Sequence, residues 1–165
     1  MKTMKLLEVY RLSKRFGRTV ANDELTFDVL KGELHCLFGE NGAGKSTLSA
    51  CLTGFHKPDS GAIMLNGREM VFATPAAALD AGIGICRQHF SLVERFTVLE
   101  NIVLGTEREH LRFDLATARA RVATLCERLG LAIDPDAPVA MLAVGERQWV
   151  EILKALYHEV RLLIL

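Results

Sequence analysis

The sequence predicts an α/β fold: a mixed, mainly parallel sheet with helices on both faces, an N-terminal antiparallel β part and an α-helical insert. Three observations predict it. Apolar residues alternate with polar ones in two early segments, which is the period of half-buried strands. A short apolar run then stops at a glycine-rich loop, and a helical pattern follows at once. The middle of the chain carries helical spacing in place of strand signals.

Within the β part, Leu7, Val9 and Leu12, and then Leu25, Phe27 and Val29, mark two early antiparallel strands. Residues 33–38 (ELHCLF) predict a third strand that feeds the glycine-rich loop, and residues 45–53 read as a helix ended near Gly54. Lys57, Pro58, Asp59, Ser60 and Gly61 are turn residues by type, after which residues 62–65 predict a strand closed by Asn66 and Gly67. Residues 75–81 predict a short helix with Pro75 in its first turn. Residues 83–86 predict a strand that delivers Arg87, Gln88 and His89 to its C-terminal end, the end that faces ligands in open α/β sheets.

Helical spacing returns over residues 98–104 and 115–129, with Gly130 as the cap of the second segment. Over residues 145–157, Val150, Leu153 and Tyr157 share one helical face, flanked by Ile152 and Leu156. The continuous run from Arg161 to Leu165 reads as a strand buried on both faces. Three regions result: residues 1–88 as β part and loop core, 89–144 as a helical subdomain, and 145–165 as a helix leading into a last strand.

Composition narrows the function classes. A length of 165 residues suits one domain able to bury a core without disulfides or metals. Lys and Arg (20) balance Asp and Glu (20), so nucleic acid is not an expected partner. Cys36, Cys51, Cys86 and Cys126 form no ligand-spaced cluster and read as small core residues of a reducing compartment. The chain shows no secretory signal and no run of apolar residues long enough to span a bilayer, and is expected to be soluble.

The chemistry lies in Gly39, Glu40, Asn41, Gly42, Ala43, Gly44, Lys45 and Ser46, which fit the pattern G-x-x-x-x-G-K-S/T between a predicted strand and a predicted helix. That pattern is a phosphate-binding loop. Glycines let the backbone turn tightly and bring its N–H groups close to phosphate oxygens. The helix start adds a positive dipole end. Lys45 supplies a point charge for the β- and γ-phosphates, Ser46 a hydroxyl for Mg²⁺, and Thr47 a hydrogen bond to a phosphate. A nucleoside triphosphate with Mg²⁺ is the expected ligand, in a P-loop NTPase core.

Such a loop serves many chemistries. The segments GICRQHFSLVERFTVLENIVLG around Gln88 and LAVGERQWVEILKAL over residues 142–156 narrow the choice, because in order and spacing they resemble the Q-loop and signature motif of ABC-transporter ATPases. The resemblance spans nearly the whole chain and is nearest to the first nucleotide-binding half of bacterial simple-sugar and nucleoside import ATPases. It implies ATP and Mg²⁺ as cofactors. It also implies permease subunits and a second nucleotide-binding half, paired head to tail, as partners, and a cytoplasmic place on the inner face of the cell membrane. Lys45 and Gln88 are thereby the expected catalytic residues, with Ser46 and Gln88 toward the metal. Phe16, in KRFG, stands where a ring stacks on adenine, worth about 1–3 kcal/mol. Ala143, Gly145 and Glu146 stand where the signature motif caps the γ-phosphate held by the opposing half.

Two departures from the family pattern stand out. Ala143 replaces the signature serine and Trp149 the arginine after Gln148, so the opposing site is expected to hydrolyse poorly. The resemblance further implies a Walker B aspartate and a catalytic glutamate directly after LLIL, beyond the last residue. The chain alone is therefore expected to bind ATP and turn it over weakly or not at all, or to serve as an ATP-binding module beside a complete half.

Overall fold

The computed structural model describes residues 4–87, 91–105 and 114–165. The chain divides into two compact units, Met1–Ile83 and Gly84–Leu165.

The first unit is built on a four-stranded antiparallel sheet. Strands β1 (Lys5–Phe16), β2 (Thr19–Leu30), β3 (Ser60–Leu65) and β4 (Arg68–Met70) lie in the order β2-β1-β3-β4. Leu7, Val9 and Leu12 are all buried although Leu12 breaks the alternation. A bulge resolves this: Arg11 adopts φ 46°, its N–H donates to Thr26 Oγ1 at 2.9 Å, and the β1–β2 register shifts between Val9 and Leu12. Asn66 and Gly67, both at positive φ, form the two-residue turn joining β3 to β4. Helix α1 (Lys45–Leu52) buries Leu48, Cys51 and Leu52, each large side chain worth about 1.5–3 kcal/mol. Helix α2 (Pro75–Asp80) opens as expected, with Pro75 in its first turn and the Thr74 hydroxyl accepting the Ala77 N–H at 3.2 Å.

Two elements differ from expectation. Residues 33–38 form no strand, because an extended run becomes one only beside a partner. Among the described residues none pairs with it, and Leu34 and Phe38 are 95% and 100% exposed. The C-terminal run is not buried on both faces: β6 (Leu162–Ile164) is half-buried and Leu165 exposed, with β5 (Ile83–Ile85) its one strand neighbour among the described residues. Strand β4 had no sequence signal, being three residues whose side chains stay largely outside the core.

The second unit is mainly helical. Helices α3 (Val98–Val103), α4 (Leu115–Leu129) and α5 (Val144–Tyr157) pack on one another around Leu99, Ile102, Val122, Val150 and Leu153. The α5 face predicted from spacing is the buried one. Thr97 and Glu100 make a reciprocal capping box at the start of α3, and Gly130, at φ 66°, ends α4 in the left-handed region that favours glycine. Of the cysteines, Cys51 and Cys126 are core residues, whereas Cys36 is exposed. Among the described residues no helix is long and apolar enough to cross a membrane.

Candidate nucleotide-binding site

The glycine-rich loop folds as a set of tight turns that hand the chain to α1. The Ala43 N–H donates to the Glu40 carbonyl at 3.2 Å, and Gly42 and Gly44 take φ 87° and 88°. Gly44 could be no other residue. A Cβ there would lie 2.1 Å from the Ala21 carbonyl oxygen on β2, and its positive φ disfavours any L side chain. The loop therefore enters the helix with its backbone pressed against the strand behind it.

Gly44 is also the residue before α1, and its carbonyl accepts the first helical bond from the Leu48 N–H at 2.9 Å. The N–H groups of the first turn have no partner within the helix, which leaves an anion-binding end. The Lys45 ammonium folds back and donates to the Gly39 and Glu40 carbonyls at 2.7 and 2.8 Å, which closes the loop upon itself. Ser46 is exposed and Thr47 half-buried on the same first turn. Gly39, Asn41, Gly42, Ala43, Gly44, Lys45, Ser46 and Thr47 thus lie together at one helix start. Unpartnered N–H groups, a cation and a hydroxyl there can hold a polyphosphate.

Phe16 ends β1 and is 45% exposed. Its ring meets that of His56 edge-on at 5.2 Å between centroids, and the Lys14 ammonium lies 5.5 Å from its centroid. Lys14 also donates to Asp59 at 2.9 Å, and that bond, with another from the Arg15 N–H, holds the Asp59 carboxyl below the usual range. Phe16 is therefore not a core residue. Gln88, expected to touch metal and water, lies outside the described residues.

Ala143, Gly145 and Glu146 sit at the exposed start of α5. The Glu146 carboxylate accepts the Ala143 N–H at 2.8 Å, while Ala143 has no side-chain oxygen with which to accept the Glu146 N–H in return. A Cβ on Gly145 would meet nothing within 4 Å. Arg147 anchors the preceding loop by donating to the Leu142 and Ala140 carbonyls at 3.1 and 3.0 Å.

Two residues of consequence carried no motif. Asn22 on β2 is buried and donates from Nδ2 to the Gly44 carbonyl at 3.1 Å; its one signal is an asparagine inside a strand, where that residue is disfavoured. Glu151 on α5, also buried, accepts from the Ser91 N–H and from the Ser91 hydroxyl at 2.9 Å. Its signal is a charge on the apolar side of the helix. Burial, and next the Glu151 charge, push the Cys86 thiol up to about 11.

Comparison with known proteins supplies relatives. Residues 22–165 match the protein family described as ABC transporter. The chain is 44% identical over 160 residues to the nucleoside import ATP-binding protein NupA of Lactococcus lactis subsp. cremoris, covering 96% of this chain and 32% of that protein. It is 46% identical over 163 residues to the ribose import ATP-binding protein RbsA 1 of Rubrobacter xylanophilus, covering 97% of this chain and 32% of that one. The chain thus spans about a third of the length of these curated relatives. Among solved structures it resembles the ADP conformation of MJ1267, an ATP-binding cassette of an ABC transporter, with a TM-score of 0.86 and 27% identity over 98% of this chain and 68% of that one. A nucleotide-free ATP-binding cassette from an ABC transporter gives 0.82 and 28%, covering 97% and 68%.

Proposed function

Because the chain belongs to the ABC transporter family, we propose that it is the ATP-binding part of an import subunit, coupling ATP binding and hydrolysis to uptake of a sugar or nucleoside. The observation that supports the reading is the turn into α1: Gly44, at positive φ and against the Ala21 carbonyl of β2, precedes a helix whose first residue is Lys45 and whose first-turn N–H groups have no partner within the helix.

In this reading the triphosphate lies over residues 39–47. The Lys45 ammonium leaves the Gly39 and Glu40 carbonyls for the β- and γ-phosphate oxygens. The N–H groups of the loop and of the first α1 turn take the remaining oxygens, and the Thr47 hydroxyl donates to one of them. Ser46 and Gln88 would hold Mg²⁺, which neutralises phosphate charge when bound. Phe16, 45% exposed, offers its ring for stacking on the adenine. A polyphosphate fits the described residues because the first-turn N–H groups of α1 lack helical partners, the Lys45 ammonium is held at the loop and Ser46 is open to solvent.

The start of α5 serves a different nucleotide. Ala143, Gly145 and Glu146 face outward and are proposed to cap the γ-phosphate held by a second nucleotide-binding half, in a head-to-tail pair seated beneath permease subunits at the inner face of the membrane. Ala143 brings no hydroxyl to that contact. An unmade charge-assisted bond is worth about 1.5–3 kcal/mol, so the site opposite hydrolyses slowly and this half contributes more to binding than to turnover.

The test is a titration with a fluorescent ATP analogue and Mg²⁺, beside Lys45→Ala, with phosphate release followed in the same samples. Saturable binding weakened at least about tenfold by Lys45→Ala is expected from the loss of one or more charged bonds. Equal binding by both proteins overturns the phosphate reading.

A further inference from the structure

Two buried side-chain acceptors among the described residues lack a partner, Asn22 Oδ1 and Asn66 Oδ1. Asn66 has a backbone reason to be asparagine, since it sits at φ 50° in the β3–β4 turn, a conformation that asparagine tolerates. Asn22 has none. It lies within β2, opposite Lys14 of β1, where asparagine is a poor strand former, and is 5% exposed. For packing alone, an apolar residue of the same size would serve better, because a buried acceptor left unpaired is destabilising.

The other end of the carboxamide shows what the residue does. Nδ2 donates to the Gly44 carbonyl, which already accepts the Leu48 N–H. With both lone pairs of that oxygen engaged, the peptide between Gly44 and Lys45 is held in one plane. A trans peptide directs its C=O and N–H to opposite sides, so the Lys45 N–H is directed away from α1, to where an anion binds. The same stretch of β2 brings the Ala21 carbonyl against Gly44. The strand thus sets the loop from behind.

We infer that Asn22 is a positioning residue for the phosphate loop, fixing the Gly44–Lys45 peptide so that its N–H meets a nucleotide phosphate, and that its unpaired Oδ1 is the accompanying loss of stability. The inference rests on the proposed phosphate site and adds to it a residue outside the motif. Strand β2 thereby becomes part of the nucleotide site.

The test separates affinity from stability. Asn22→Leu removes the donor and the orphaned acceptor together. Its thermal midpoint is expected to equal or exceed that of the parent, while affinity for the fluorescent ATP analogue with Mg²⁺ falls about three- to tenfold, the value of one hydrogen bond. Asn22→Asp keeps the shape and turns an acceptor toward the Gly44 carbonyl, so its affinity falls further at pH 8. Asn22→Ser retains a short donor, and affinity between parent and Asn22→Leu is expected; it serves as the folded comparison should the leucine variant not fold. Binding within twofold of the parent in the variants that fold overturns the inference, as does a loss that merely tracks the unfolded fraction. Lys45→Ala, run alongside, distinguishes the two failures. If the parent shows no Lys45-dependent binding, the phosphate reading fails and the inference falls with it; if it does and Asn22 is silent, only the inference fails.

Discussion

Gly44 and Gly145 make opposite demands on their surroundings. Gly44 is required by its own chain: positive φ, the Ala21 carbonyl in the way of any Cβ, and a buried asparagine bonded to its oxygen. Gly145 is required by nothing in its own chain, being helical, exposed and open on every side to a Cβ. The phosphate loop is a site that the first unit builds for itself. The start of α5 is an exposed surface whose glycine, in the proposed reading, serves something outside the chain.

That contrast can be broken at its strongest point by Gly44→Ala. The left-handed backbone and the displacement of Ala21 together are expected to cost about 2–4 kcal/mol, read as a lower denaturation midpoint, with ATP binding lost in the fraction that folds. An unchanged midpoint would show that β2 does not constrain the loop.

A smaller effect is expected from Glu151→Ala. The Ser91 N–H and hydroxyl lose their buried acceptor, at about 1–3 kcal/mol by chemical denaturation, while ATP-analogue affinity at the loop stays within twofold. Loss of affinity equal to that of Lys45→Ala would contradict the assignment of Glu151 to packing within the second unit.

The smallest effect has the opposite sign. Gly145→Ala replaces a helical glycine in open space and is expected to stabilise by up to about 1 kcal/mol. In a paired assembly of nucleotide-binding halves the same change should depress ATP turnover, since the added methyl group stands between the helix start and the opposing phosphate. Stability and turnover both unaffected would remove the proposed outward role.

The same contrast explains what could be read from the sequence. The loop was legible residue by residue because its chemistry depends on consecutive positions, and the helices were legible because Val150, Leu153 and Tyr157 keep the period of a buried face. The β1 bulge was not, since φ 46° at Arg11 arises from pairing with β2 and not from arginine itself. Residues 33–38 misled for a related reason. Their apolar run has the composition of a central strand, but composition supplies no hydrogen-bond partner. Asn22 was missed because its role depends on a contact with Gly44 across 22 positions, which no local pattern encodes. Phe16 and Gly145 were singled out by resemblance alone, as neither has a spacing rule.

The lysine folded onto the Gly39 and Glu40 carbonyls has a kinetic meaning as well. An ammonium with two acceptors in hand is not bare, so in the proposed reading a phosphate's arrival is an exchange of partners. Departure reverses it, because the two carbonyls stand within reach to take the cation back.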